Sequence, residues 1–318
     1  MREYKLKKCK RVHSVHFTPD GVRLLALGGA EARMVDAAVW LNLATGDNEG
    51  RVERFVTCAA VDPGLTRYVV GGADHFARGV AAVEWTALDR AVEWRRFVWP
   101  KRTLPPTYKN VSGLAFDPTG SRLAVGHSRV IGPRGANRSR PFLTIVDRDT
   151  GEAEAELPTA REACVMSFRA DGARLAVTGG LDGDTAVTVF DVAARKELFT
   201  FEPKGTVTRC AVFLPDGRLA VANGRFVYVL PADRAAPQLT LDGHPKQVNA
   251  VAVARDGRRI LTGSHDGLIR TWDAASGAPG PSFDWHIGPV TALAFAPDGL
   301  TCAAAALNGK VVVWDVDG

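Results

Sequence analysis

Ser264, His265 and Asp266 stand in a row, with the side-chain types of a nucleophile, a base and the acid that would orient it. Adjacent residues on one strand and tight turn cannot relay a proton through one another, so the run carries no acyl-transfer chemistry. The seven histidines (His13, His16, His75, His127, His244, His265 and His286) form no HExxH or comparable metal-ligand spacing. The five cysteines (Cys9, Cys58, Cys164, Cys210 and Cys302) are scattered without a CxxC pair. That pattern predicts reduced, mostly buried thiols rather than a disulfide framework or a zinc site. The chain has no GxxxxGK[ST] loop, no GxSxG elbow and no GxGxxG after a strand. The expectation is a protein with no catalytic residue, no metal and no cofactor.

The residues that do gather are basic. The segment FVWPKRTLPPTYKN, 97–110, sets Lys101, Arg102 and Lys109 among Trp99, Tyr108 and three prolines, which should hold it stiff and extended. The segment HSRVIGPRGANRSRP, 127–141, carries Arg129, Arg134, Arg138 and Arg140. Between Trp99 and Pro141 the single acidic residue is Asp117, whereas the whole chain, with 40 Lys and Arg against 35 Asp and Glu, is only mildly basic at +5. Guanidinium forks pair bidentately with carboxylates and phosphates and stack on aromatic rings. An acidic protein segment, a phosphopeptide or a single-stranded nucleic acid would all suit such a cluster. Nucleic acid is the weakest fit, because the aromatics are two and no RNA-binding phrase occurs.

The elements that must position this cluster follow from an internal repeat. One phrase recurs seven times: FTPDGVRLLA from Phe17, VDPGLTRYVV from Val61, FDPTGSRLAV from Phe116, FRADGARLAV from Phe168, FLPDGRLAV from Phe213, VARDGRRILT from Val253 and FAPDGLTCAA from Phe295. The spacing is roughly 40 to 55 residues, and β-branched runs separated by Gly-rich turns at that period make a four-stranded propeller blade rather than a helical repeat. The run from Val290 to Phe295 alternates with the period of a strand. The two basic segments are the longest insertions, one between blades two and three and one in the turn between the second and third strands of blade three. The plan opens both on one face.

At these residues the chain resembles the WD40 repeat family. The sixth copy reads DGHPKQVNAVAVARDGRRILTGSHDGLIRTWD and the seventh DWHIGPVTALAFAPDGLTCAAAALNGKVVVWD, close to a repeat that opens on Gly-His and closes on Trp-Asp. The resemblance implies an all-β, seven-bladed β-propeller forming one domain over residues 1–318. It also implies a structural tetrad in the sixth copy, His244, Thr262, Asp266 and Trp272. The seventh copy keeps His286 and Trp314 with Ala304 and Asn308 at the other two positions. Trp40, Trp85, Val146, Phe190 and Leu230 mark the third strands of the first five copies. Because the last repeat stops after its third strand, Glu3 to Lys8 should pair with it and close the ring.

In function the resemblance implies a non-catalytic interaction scaffold, here docking an acidic or phosphorylated protein partner on the basic, loop-rich face. Partner contacts are expected at Trp99, Lys101, Arg102, Tyr108, Lys109, Arg129, Arg134, Arg138 and Arg140. A further polar column, His13, Thr57, Ser112, Cys164, Arg209, Asn249 and Thr291, is expected to line the channel rim. The alternatives are a propeller hydrolase or lactonase with a channel site, or a nucleic-acid binder. The channel column offers His13 and no Asp or Glu, unlike a metal-dependent propeller enzyme. No run of about 18 apolar residues exists, and the basic start is followed by no apolar core of a secretory signal. A cytoplasmic monomer is the expectation.

Overall fold

The computed structural model describes residues 1–6, 11–29, 37–52, 58–64, 67–72, 82–87, 95–97, 108–131, 138–150, 152–159, 161–179, 185–204 and 206–317. Among them the chain is all β, with no helix, and the strands group into seven four-stranded sheets. The strands pair antiparallel throughout these sheets. Sheet three, the one that bears the basic segments, runs Tyr108–Phe116, Arg122–Ile131, Arg138–Asp147 and Ala153–Leu157 in that order. Sheet six runs Val248–Val253, Arg259–Ser264, Leu268–Asp273 and Pro279–Asp284, and sheets one, two, four and five repeat this up-and-down plan. This is the strand order of a propeller blade. Trp40, Trp85, Val146, Phe190 and Leu230 all lie on third strands of their sheets.

Sheet seven draws three strands from the end of the chain, Val290–Phe295, Thr301–Ala306 and Lys310–Asp315, and its fourth, Arg2–Lys5, from the beginning. Arg2 pairs with Val313, Glu3 with Val312, Tyr4 with Val311 and Lys5 with Lys310. The strand expected over Glu3 to Lys8 thus ends earlier, at Lys5; Leu6 follows, buried, its N–H bonded to the Gly309 carbonyl at 3.1 Å, and Lys7 and Lys8 lie outside the described residues.

The recurring phrase works by local chemistry. In the Ala-Arg-Asp-Gly turn at 254–257, the Gly257 N–H reaches the Ala254 carbonyl at 2.9 Å, and the Arg258 N–H bonds Asp256 Oδ1 at 2.9 Å. Gly257 sits at φ +72°, a left-handed conformation that a residue with Cβ takes only at a cost. An Asx-type carboxylate followed by glycine therefore turns the chain tightly between two strands.

The chain forms two compact units, 1–54 with 203–318, and 55–202. Within each, apolar side chains fill the space between consecutive sheets. In the first unit Leu24, Val39 and Leu41 of sheet one pack with Ala303, Ala305 and Val311 of sheet seven. Ile269 and Leu261 of sheet six pack with Val312 and Trp314 of sheet seven. In the second unit Ala124, Leu143 and Ile145 of sheet three meet Leu175, Val177 and Phe190 of sheet four. Gly126 marks how tightly those two sheets approach: a Cβ there would fall inside contact distance of the Ala163 carbonyl.

Candidate functional site

Sheet three carries the basic cluster, and the structure changes its expected setting. The second and third strands are each ten residues long, so Arg129, Arg138 and Arg140 lie on strands, not in a turn. Continuous pairing of Arg129 with Arg140, Val130 with Ser139 and Ile131 with Arg138 carries the ladder past Pro141, and the connection shrinks to 132–137. Tyr108 opens the first strand directly opposite Arg129, with Lys109 next to it. Tyr108, Arg129 and Arg140 consequently occupy one row across three neighbouring strands. Both insertions leave sheet three at this same end, since 98–107 leads into Tyr108 and 132–137 joins Ile131 to Arg138. Trp99, Lys101, Arg102 and Arg134 lie outside the described residues.

The fourth strand stops short of this row. It pairs with the third only from Leu143 to Val146, which leaves 138–142 as part of a projecting ribbon. At the root of the ribbon His127 and Phe142 are register partners, their rings stacked 5.8 Å apart at 7°. His127 Nε2 lies 2.9 Å from Thr144 Oγ1, and both residues are buried. Sequence reasoning saw His127 only as one of seven histidines; nothing in its spacing marked the stack. The lone acid of the segment, Asp117, is at the other end of the sheet. It is 1% exposed and holds the Arg122 side chain at 3.3 Å and the Arg122 N–H at 2.9 Å. It cannot neutralise the ribbon.

In sheet six His244, Thr262, Asp266 and Trp272 form one hydrogen-bonded series. Trp272 Nε1–H donates to Thr262 Oγ1 at 2.9 Å. An indole N–H can only donate, so the threonine accepts from it and turns its own proton toward His244 Nε2, 2.8 Å away. His244 Nδ1–H then donates to Asp266 Oδ2 at 2.9 Å. The ring is neutral in this arrangement, in agreement with its burial, which lowers its pKa against the opposing pull of Asp266. Asp266 Oδ1 also accepts the Leu268 N–H at 2.8 Å. Asp266 is thereby committed to His244, and Ser264 Oγ donates to the Lys246 carbonyl at 3.3 Å, so the Ser264, His265, Asp266 run has no triad geometry.

Sheet seven departs from the expected partial tetrad. His286 is 87% exposed, in a left-handed backbone at φ +50°, and pairs with Asp284 at 3.0 Å. Its expected place inside the sheet is lost to Trp285, which stands where sheet six has Gly243, a residue already tight against the Trp272 ring. The Trp285 ring instead packs 6.1 Å from Trp314. Ala304 pairs with Val312 as Thr262 pairs with Arg270, so no hydroxyl stands at the position that serves the indole in sheet six, and among the described residues the buried Trp314 Nε1 has no acceptor. Asn308 keeps only the turn, accepting the Lys310 N–H at 3.0 Å and donating to the Ile287 carbonyl at 2.8 Å.

The polar column expected at the channel rim has a different employment. Its members His13, Ser112, Arg209, Asn249 and Thr291 each stand at a β-bulge in the first strand of a sheet, where one residue is left out of the ladder. Three of them reach the next sheet: Asn249 Nδ2 donates to the Val290 carbonyl at 2.9 Å, Thr291 Oγ1 to Val12 at 2.6 Å and Ser112 Oγ to Ala163 at 3.0 Å. The acceptor in every case is the carbonyl just before the neighbouring member of the column, Thr291, His13 or Cys164. These side chains tie sheet to sheet and are not free for a ligand, whereas Arg209 is exposed. Thr57 lies outside the described residues. Among the described residues no three His, Cys, Asp or Glu side chains gather as metal ligands.

Comparison with known proteins matches the family model described as "WD domain, G-beta repeat" at residues 235–273 and 277–315; the first match spans Leu239–Asp242, the last strand of sheet five, and the first three strands of sheet six, and the second spans Pro279–Asp284, the last strand of sheet six, and the three C-terminal strands of sheet seven. The chain is 30% identical over 188 residues to WD repeat-containing protein 1 of Xenopus tropicalis, covering 56% of this chain and 28% of that protein. It is 28% identical over 130 residues to the U3 small nucleolar RNA-associated protein 15 homolog of Gallus gallus, covering 38% and 25%. With the guanine nucleotide-binding protein subunit beta of Schizosaccharomyces pombe it shares 28% identity over 101 residues, covering 31% and 32%. The chain therefore matches between a quarter and a third of the length of each relative.

Proposed function

This chain carries WD40 repeats, and from that premise we propose that it is a non-catalytic protein-interaction scaffold whose docking surface is the basic end of sheet three. The partner is a protein or peptide segment of acidic or phosphorylated character. In this reading the seven sheets act as one propeller domain over residues 1–318, closed by the N-terminal strand, and the protein works as a cytoplasmic monomer. The observation that carries the reading is the row of Tyr108, Arg129 and Arg140 across three strands, at the end of the sheet where both basic insertions emerge. Arg138 extends it, and the sequence adds Trp99, Lys101, Arg102, Lys109 and Arg134 in the same segments. Cationic side chains of one sign on one end of a sheet add their fields and steer an anionic partner there.

The test is capture of partners from native extract by the wild type and by a variant with Arg134, Arg138 and Arg140 changed to Glu. A second variant reverses Arg195 and Lys196 on sheet four, and its partners should match the wild type. The first variant should lose partners, most clearly at low salt. If it retains every one of them, the docking surface lies elsewhere.

A further inference from the structure

Trp285 and Trp314 place two donors in the interior beside sheet seven. Both Nε1 atoms are shielded from solvent, and among the described residues neither meets an acceptor. The two rings belong to one cluster: their centroids lie 6.1 Å apart at 56°, and Phe283 packs on both, at 5.6 and 5.5 Å. The side chains around them, with Ile269, Ile287, Val290 and Val312, are apolar. An indole N–H can only donate, and buried donors in native proteins are nearly always paired, with protein or with ordered water.

The strand register says where the acceptor must stand. Cys302 pairs with Trp314 as Ile260 pairs with Trp272, and Ala304 pairs with Val312 as Thr262 pairs with Arg270. The Trp314 indole therefore bears the same relation to residue 304 as the Trp272 indole bears to Thr262, whose Oγ1 takes the indole proton at 2.9 Å. Alanine stops at Cβ, one atom short of that place. The other residues at the tetrad positions are engaged elsewhere. Asn308 holds the Lys310 N–H and the Ile287 carbonyl, and His286 is turned out to Asp284.

We infer that sheet seven has a built-in site for one water molecule, at the place that corresponds to Thr262 Oγ1, where it accepts from Trp314 Nε1–H and Trp285 Nε1–H together. Water fits in size and in charge. Ala304 lacks both the hydroxyl and the methyl of threonine, and a water needs the room of about one oxygen together with two to four polar partners. Its lone pairs match the two donors, and its hydrogens are left for main-chain carbonyls. A halide would accept equally well, but the shell is apolar and the acids Asp284 and Asp315 adjoin the two tryptophans in sequence. A buried anion without a counter-charge is costly. Sheet seven thus keeps the series of sheet six in shortened form, indole to water to indole, a role independent of the docking surface on sheet three.

The experiment is a crystal structure of the full chain at a resolution that shows ordered water, with a second crystal soaked in bromide. A solvent peak should lie within about 3.2 Å of both Nε1 atoms. Ala304→Ser, which adds one oxygen at that place, should remove the peak and give Trp314 a direct acceptor. In urea the serine variant should unfold at a midpoint equal to or above that of wild type, whereas Ala304→Val, which fills the same space with carbon, should unfold at a lower one. A peak that touches one indole alone, or none, overturns the shared water. An anomalous bromide peak at the site would show an anion there instead, and the water assignment fails. An indole proton shifted far upfield in the NMR spectrum would place one N–H over the face of the other ring, which needs no water. A valine variant as stable as wild type, or a serine variant as weak as valine, would show that no acceptor stands beside residue 304. None of these outcomes bears on partner capture by the basic segments, so the two readings fail separately.

Discussion

Replacing Thr262 by valine tests the hydrogen-bonded series of sheet six at its centre. Valine matches threonine in shape, so the change opens no cavity, and the only loss is one hydroxyl. That hydroxyl serves two buried partners at once, Trp272 Nε1–H at 2.9 Å and His244 Nε2 at 2.8 Å. Thr262 is 0% exposed, His244 1% and Trp272 4%, so water cannot take its place. Stranding a buried polar group costs about 1 to 3 kcal/mol, and two such groups, partly relieved by the hydroxyl no longer needing desolvation, predict a loss of about 2 to 4 kcal/mol. Urea titration followed by tryptophan fluorescence and far-UV circular dichroism measures it as a lower midpoint at unchanged slope. The neutral His244 adds a second readout: without the Thr262 proton at Nε2, the histidine NMR signals of the folded protein should move. A variant within about 0.5 kcal/mol of wild type, with those signals in place, would refute the series as drawn.

Other outcomes follow from the same geometry. Gly126→Ala should destabilise sheet three by about 1 to 3 kcal/mol through overpacking, because its Cβ would strike the Ala163 backbone; Gly299→Ala, where nothing lies within 4 Å but φ is +72°, should cost only the backbone penalty of about 1 to 2 kcal/mol. A Gly126→Ala protein within about 0.5 kcal/mol of wild type in denaturant would show that sheets three and four do not approach as described. Burial lowers the His16 pKa from 6.5 to about 4. The unfolded chain then binds more protons between those values, so the stability this residue supports is complete above pH 6.5 and lost as pH falls toward 4. Wild type should therefore lose more stability than His16→Gln between about pH 7 and 4.5, and parallel losses would show that His16 titrates normally. Deleting residues 1–5 should bare the Lys310–Asp315 edge and lower the cooperativity of unfolding, and an unchanged melting curve would show that this pairing contributes nothing.

Much of the architecture is legible in the residues because its causes are short-ranged. The Asp-Gly turns need a carboxylate two residues before the N–H it binds and a glycine at positive φ, both visible in a phrase such as ARDG at 254–257. The tetrad of sheet six is likewise legible, since His244, Thr262, Asp266 and Trp272 keep the family spacing and every member of the series is present. The spare N-terminal strand could be anticipated by counting strands in the last repeat, although its end at Lys5 could not.

What only the tertiary structure decided is where a side chain goes when its partner comes from another repeat. His286 keeps the family position and still leaves the sheet, because Trp285, one residue earlier, takes up the space against Trp314. Asn249, Thr291 and Ser112 read as a free polar rim, yet they are bound to carbonyls of the next sheet, a use that depends on a bulge on one side and close approach on the other. The basic segment at 127–141 has the Gly, Pro and Arg content of a loop, and the ladder runs through most of it. Composition reports what a segment tolerates by itself; whether Arg129 sits in a loop or opposite Arg140 in a ladder is settled by pairing along the whole hairpin, whose rigid root is the stack of His127 and Phe142.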